Sequence, residues 1–95
     1  MIKPKYLKRI VAIVKLYGRG RKAKFFIFGS SLERDHFGDV DIGVAGNFET
    51  EEINALKQAF TESTLPYFFD IIDFDHVSRA FKKNTLSNKV LWLKR

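Results

Sequence analysis

Cysteine is absent from the 95 residues, and histidine occurs only twice, as His36 and His76. No disulfide can form, and neither zinc-ligand spacing nor a Ser/His/Asp arrangement for nucleophilic hydrolysis is evident. Apolar runs of transmembrane length, signal-peptide patterning, internal repeats and low-complexity tracts are missing as well. The expectation is one compact domain over residues 1–95, in a reducing, cytoplasmic setting and without membrane contact. The glycines of Gly18-Arg19-Gly20-Arg21-Lys22 lack the spacing of a phosphate-binding P-loop, and the segment reads as a helix stop followed by a turn. Acids are missing from both ends. Residues 1–24 contain nine Lys or Arg and residues 76–95 contain six, while residues 25–75 hold all eleven acids and only Arg34 and Lys57 as bases. Most of these lysines read as solvated helix faces. The net charge of +6 nonetheless permits contact with nucleic acid or an acidic partner.

Apolar periodicity divides the rest of the chain. Leu7, Ile10, Val11, Val14 and Tyr17 recur at helical spacing, predicting a first helix over about Pro4–Tyr17 with proline at a tolerated N-terminal position. Phe25-Phe26-Ile27-Phe28 reads as a strand, followed by a short helix beginning near Ser30 in SSLERDHF. Val40, Ile42 and Val44 mark a second strand. A second long helix is expected over about Thr50–Ser63, with Ile53, Leu56 and Phe60 on one face and Glu49, Glu51 and Glu52 at its start, where acids suit the helix dipole. Pro66 closes the connection to a third strand in PYFFDIIDFD. The tail reads as mostly helical, with a turn or two over Val77–Lys83, and Leu86–Leu93 fits either a helix or an edge strand. Helices interleaved with strands imply an α/β (α+β) fold, a small mixed sheet flanked by helices. Phe25, Phe28, Phe60 and Phe69 sit inside these patterns and read as core rather than as base-stacking residues.

One segment carries chemistry. Side chains two apart on a strand share a face, so Asp39 and Asp41 point the same way while Val40 and Ile42 enter the opposite layer. Carboxylates forced together repel and hold their protons unless a cation lies between them. Oxygen ligands without nearby His or Cys suit Mg2+ or Mn2+. A half-buried strand with solvated acids gives the same alternation, so the pair alone leaves both readings open. Gly29 and Ser30 add weight to the first. Glycine after a buried strand lets the backbone turn tightly beside a ligand, and a helix starting at Ser30 would direct N–H groups at an anion. Ser30 or Ser31 would also serve as a helix cap, which is compatible with phosphate binding.

FGSS followed by DVDIGV resembles the signature of the DNA polymerase beta-like nucleotidyltransferase superfamily, in particular its minimal nucleotidyltransferase (MNT) members. The resemblance spans nearly the whole chain and implies a nucleotidyltransferase fold. It also implies a third acid on a later strand. Asp70 and Asp73 differ by an odd number and cannot both join the pair; Asp70, between apolar residues in Phe69-Asp70-Ile71-Ile72, best meets the family pattern, and Asp73 and Asp75 suit the strand's exit into a turn. Many relatives carry an arginine soon after Gly-Ser; the arginine in that stretch here is Arg34, after Ser31 and Glu33.

The implied chemistry is transfer of a nucleoside monophosphate from a nucleoside triphosphate, ATP above all, to an acceptor hydroxyl. Asp39, Asp41 and Asp70 would be the catalytic and metal-binding residues, with two Mg2+ or Mn2+ ions, and Gly29, Ser30, Ser31 and Arg34 would hold the nucleotide. MNT proteins often act beside a helical HEPN-type partner, some as antitoxins that nucleotidylate the toxin, which makes a protein acceptor the expectation; 95 residues leave no room for a second substrate-binding domain, so a partner or a homodimer is expected to complete the site. Two readings from other classes stand beside this one: a catalytically silent partner-binding module of the same fold, and a small basic nucleic-acid-binding domain. His36 lies in the loop before Asp39 and reads as solvent-facing.

Overall fold

The structure, a computed structural model, describes every residue from Met1 to Arg95. Strands β1 (Lys24–Phe28), β2 (Asp39–Ala45), β3 (Phe68–Asp73) and β4 (Leu91–Lys94) form one sheet in the order β3-β2-β1-β4. β1 runs antiparallel to both β2 and β4, whereas β2 and β3 are parallel. A parallel pair needs a long crossover, and helix α2 (Thr50–Glu62) supplies it. With helix α1 (Pro4–Tyr17) at the start and α3 (Arg79–Ser87) before β4, this is the mixed, helix-flanked sheet that the sequence implied.

Alternation along the strands separates two faces. Phe25, Ile27, Val40, Ile42, Val44 and Ile71 turn to one side and form the main core with Ile10 and Val14 of α1 and Ile53, Leu56 and Phe60 of α2. Both helices therefore lie on that side. Helix α2 begins with a capping box in which Glu49 and Glu52 each accept a backbone N–H of the other's turn, satisfying donors that the helix leaves free.

The opposite face carries a smaller aromatic cluster. The Phe26 ring lies 4.8 Å from Phe74 and 5.1 Å from Trp92 between centroids. It fills the space over Gly43, where any side chain would collide with it. Helix α3 covers part of this face, its Phe81 against Phe28 and Phe74.

Three sequence expectations are corrected. The short helix after Gly29 is a single 3-10 turn over Ser30–Leu32, with no side-chain cap. Residues 33–38 are polar and exposed apart from Phe37, and give a longer helix nothing to bury. The tail is not mostly helical. Ser78 Oγ caps α3 by accepting the Phe81 N–H at 3.1 Å, and after Ser87 the chain extends to pair with β1 as an edge strand, covering backbone groups that β1 would otherwise leave open. Phe28 belongs to the aromatic cluster on the α3 side and not to the main core, because its partner in register is Asp41. No helix is long and apolar enough to cross a membrane.

A candidate carboxylate and phosphate site

The strands bring the acids to one place. Val40 and Ile42 are fully buried in the core, which turns Asp39 and Asp41 to the opposite face. The parallel register sets Asp41 beside Asp70 and Asp39 beside Phe68, so Asp39, Asp41 and Asp70 share that face. Asp73 falls opposite Val44 and is occupied in a turn: its Oδ1 accepts the Asp75 N–H at 3.0 Å and its Oδ2 lies 2.7 Å from His76 Nδ1. Asp75 Oδ2 accepts the N–H groups of Gly46 at 3.0 Å and Asn47 at 2.8 Å. These two acids shape the exit of β3 and the entry to α2.

Asp41 feels the crowding. Burial raises its pKa above the usual carboxylate value, and the charges of Asp70 and Asp39 raise it further. The carboxyl groups are not gathered into a three-ligand metal cage, since three like charges with two of them facing water gain nothing by converging. Their donor chemistry nonetheless fits a hard divalent cation: oxygen ligands only, on one face, with the central one destabilised as an anion by its neighbours.

Gly29 locks onto this group. It holds φ at +87°, and a Cβ there would stand 2.5 Å from Asp41 Oδ2. The close approach that glycine permits is thus first of all to Asp41. Gly29 also lines a cleft of about 400 Å³ between the 3-10 turn and α3, large enough for a small-molecule ligand. Ser30 and Arg34 line it as well, together with Glu33. Ser31 is not part of this wall: it is buried, and its hydroxyl has no hydrogen-bond partner. His36 is exposed in the loop.

The opposite wall of the cleft was not anticipated. Phe81, Asn84, Asn88 and Lys89 come from α3 and the residues just after it, and place a second cation across from Arg34. The basic character of the tail was the one signal in the sequence. Arg21, by contrast, is structural; it pairs with Glu52, donates to the Gly46 and Asn47 carbonyls and lies 3.9 Å over the Phe48 ring.

No protein-family model matches the sequence, and no curated protein matches it significantly. Solved structures do. One is a mutant of the MntA–HpeT toxin–antitoxin complex carrying two Asp-to-Glu substitutions, at a TM-score of 0.72 and 16% identity, covering 93% of this chain and 71% of the other. Another is the MNT antitoxin complex with a tri-AMPylated HEPN toxin of Shewanella oneidensis, at a TM-score of 0.72 and 17% identity, covering 98% and 72%. The chain therefore shares the fold of the antitoxin subunits in these complexes.

Proposed function

We propose that this protein is a metal-dependent nucleotidyltransferase that moves a nucleoside monophosphate from ATP to a hydroxyl of a HEPN-type partner, acting as the antitoxin of such a pair. The observation that carries the reading is the register of Asp41 with Asp70, beside Asp39 on one sheet face and within a Cβ's reach of Gly29. The similarity to MNT antitoxins solved with toxin partners, one of them AMPylated, supports the choice of acceptor.

Each residue then has a task. Asp39 and Asp41 would hold Mg2+ or Mn2+, and Asp70 would complete the set on the acceptor side, where a carboxylate can take the proton of the attacking hydroxyl. Bound divalent ions supply charge neutralisation for the triphosphate and lower the pKa of the acceptor hydroxyl. Ser30 donates a hydroxyl to the outer phosphates, and Arg34 and Lys89 balance their charge from the two walls of the cleft. The acceptor oxygen attacks the α-phosphorus, the bond to the bridging oxygen breaks, and pyrophosphate leaves with that oxygen. Phe68, 80% exposed and in register with Asp39, gives the partner an apolar anchor beside the carboxylates.

ATP labelled at the α-phosphate, incubated with the protein, Mg2+ and the partner, tests the reading. Label should pass to the partner, and Asp39→Asn or Asp41→Asn should lower transfer by more than about a hundredfold while the complex still forms. A partner-binding module without activity would give the complex and no label. A nucleic-acid binder would show steep salt dependence that ignores the aspartates.

A further inference from the structure

The face that α3 turns to the cleft is unusual for a packed helix. Phe81, Asn84 and Thr85 share one stripe of α3 at i, i+3, i+4 spacing, and they line the cleft together with the helix's C-cap residue Asn88. In a helix held by core packing this stripe is apolar. Here its only buried member is Thr85, and Asn84 and the C-cap Asn88 are amides. Phe81 is supported by Phe28 and Phe74, with centroids 6.3 Å and 5.6 Å away, yet remains 41% exposed. Ser87 Oγ and Asn88 Nδ2 both donate to the Asn84 backbone carbonyl, at 2.9 Å and 2.7 Å, while the Asn84 side-chain amide itself makes no hydrogen bond within the protein.

We propose that this stripe reads the base of the nucleotide, Phe81 by stacking and Asn84 by hydrogen bonding to adenine. An aromatic ring held by neighbouring rings and still part-exposed at a cleft can take the flat face of a base. A carboxamide offers a donor and an acceptor in one plane and matches the adenine edge that carries the amino group and N7. Guanine presents two acceptors on the corresponding edge, so the Asn84 amide discriminates between them. The assignment rests on the reading that Ser30, Arg34 and Lys89 hold the phosphates: of the remaining lining, Phe81 and Asn84 are the side chains suited to a base.

Calorimetric titrations of Mg2+-ATP, Mg2+-GTP and Mg2+-tripolyphosphate into wild type, Phe81→Ala and Asn84→Ala test the proposal, with thermal melts of each variant. Wild type should prefer ATP to GTP. Phe81→Ala should weaken ATP roughly tenfold, the loss of one base–aromatic contact, and leave tripolyphosphate unchanged. Asn84→Ala should shrink the preference for ATP over GTP; because Asn84 is exposed, this variant keeps the test valid should Phe81→Ala loosen α3. Wild-type affinity and preference in both variants overturn the base-reading role and leave the proposed transfer reaction intact. Failure of wild type to bind either nucleotide overturns both.

Discussion

Gly29 and Asp41 constrain each other. With φ at +87° and Asp41 Oδ2 at 2.5 Å from the place of a Cβ, Gly29→Ala pairs backbone strain with a collision against a carboxylate. The variant should lose about 1–3 kcal/mol of stability in urea unfolding and should bind ATP more weakly. Unchanged values in both measurements would show that the contact is not needed. Asp41 gives a second prediction at this scale. Burial, then Asp70, then Asp39 raise its pKa in the fold, so above the unfolded carboxylate value its ionised form opposes folding. That opposition fades as pH falls through the raised folded value and is gone below the unfolded one. Without divalent ions, Asp41→Asn should therefore melt above wild type at about pH 8, and the difference should vanish near about pH 3. Added Mg2+ should raise the melting temperature of wild type and not that of the variant. Equal melting curves at both pH values would remove the claim that the acids crowd Asp41.

Among the elements, the loop from β2 into α2 shows how the surrounding structure is fastened. Asp75 accepts from Gly46 and Asn47 while Arg21 donates to the carbonyls of the same two residues, and the pair of ties holds Asn47 at φ 56°. Burial opposes ionisation of Asp75, but the Gly46 and Asn47 N–H groups, with His76 and Lys82, lower its pKa overall. Its stabilisation is present above the unfolded carboxylate value and is lost as pH falls through the lowered folded value. Asp75→Ala should cost about 1–2 kcal/mol at neutral pH in urea unfolding, against 2–5 kcal/mol, roughly, for the fully packed Leu56→Ala. An Asp75 variant as stable as wild type would show the loop to be held by Arg21 alone. Much of this layer was legible in the sequence. Helical spacing located α1 and α2, and strand parity put Asp39 and Asp41 together because Val40 and Ile42 had to face the core. The same parity separated Asp70 from Asp73. The 3-10 turn was not legible, since burial of Ser31 and Leu32 is decided by tertiary contacts. For β4 the sequence left helix and edge strand open, and the choice is made by pairing with β1, which joins distant parts of the chain. The α3 wall escaped because a polar stripe gives no periodic apolar signal, and only the fold places Asn84 and Lys89 opposite Ser30.

For the whole molecule, charge segregation along the chain becomes a division of labour. The acidic middle supplies the carboxylate face, and the basic tail contributes Lys89 to the cleft, opposite Arg34. A net charge of +6 attracts nucleotides and acidic surfaces at long range, so association should slow with added salt while the carboxylate dependence of transfer persists. The sheet ends at β3, an edge strand where Phe68 is exposed beside Asp39. On the proposed function, Phe68→Ser should weaken a complex with a HEPN-type partner by roughly tenfold or more in a binding titration, as loss of an interface anchor does, and leave ATP affinity unchanged. Unaltered partner affinity would place the interface elsewhere. The most direct measurement is label transfer from ATP, labelled at the α-phosphate, to the HEPN-type partner in the presence of Mg2+, with wild type, Asp41→Asn and Asp70→Asn compared in parallel. The account predicts label on the partner with wild type and none with either variant, although both still bind it. Equal label with all three proteins, or a stable wild-type complex that never acquires label, would contradict it.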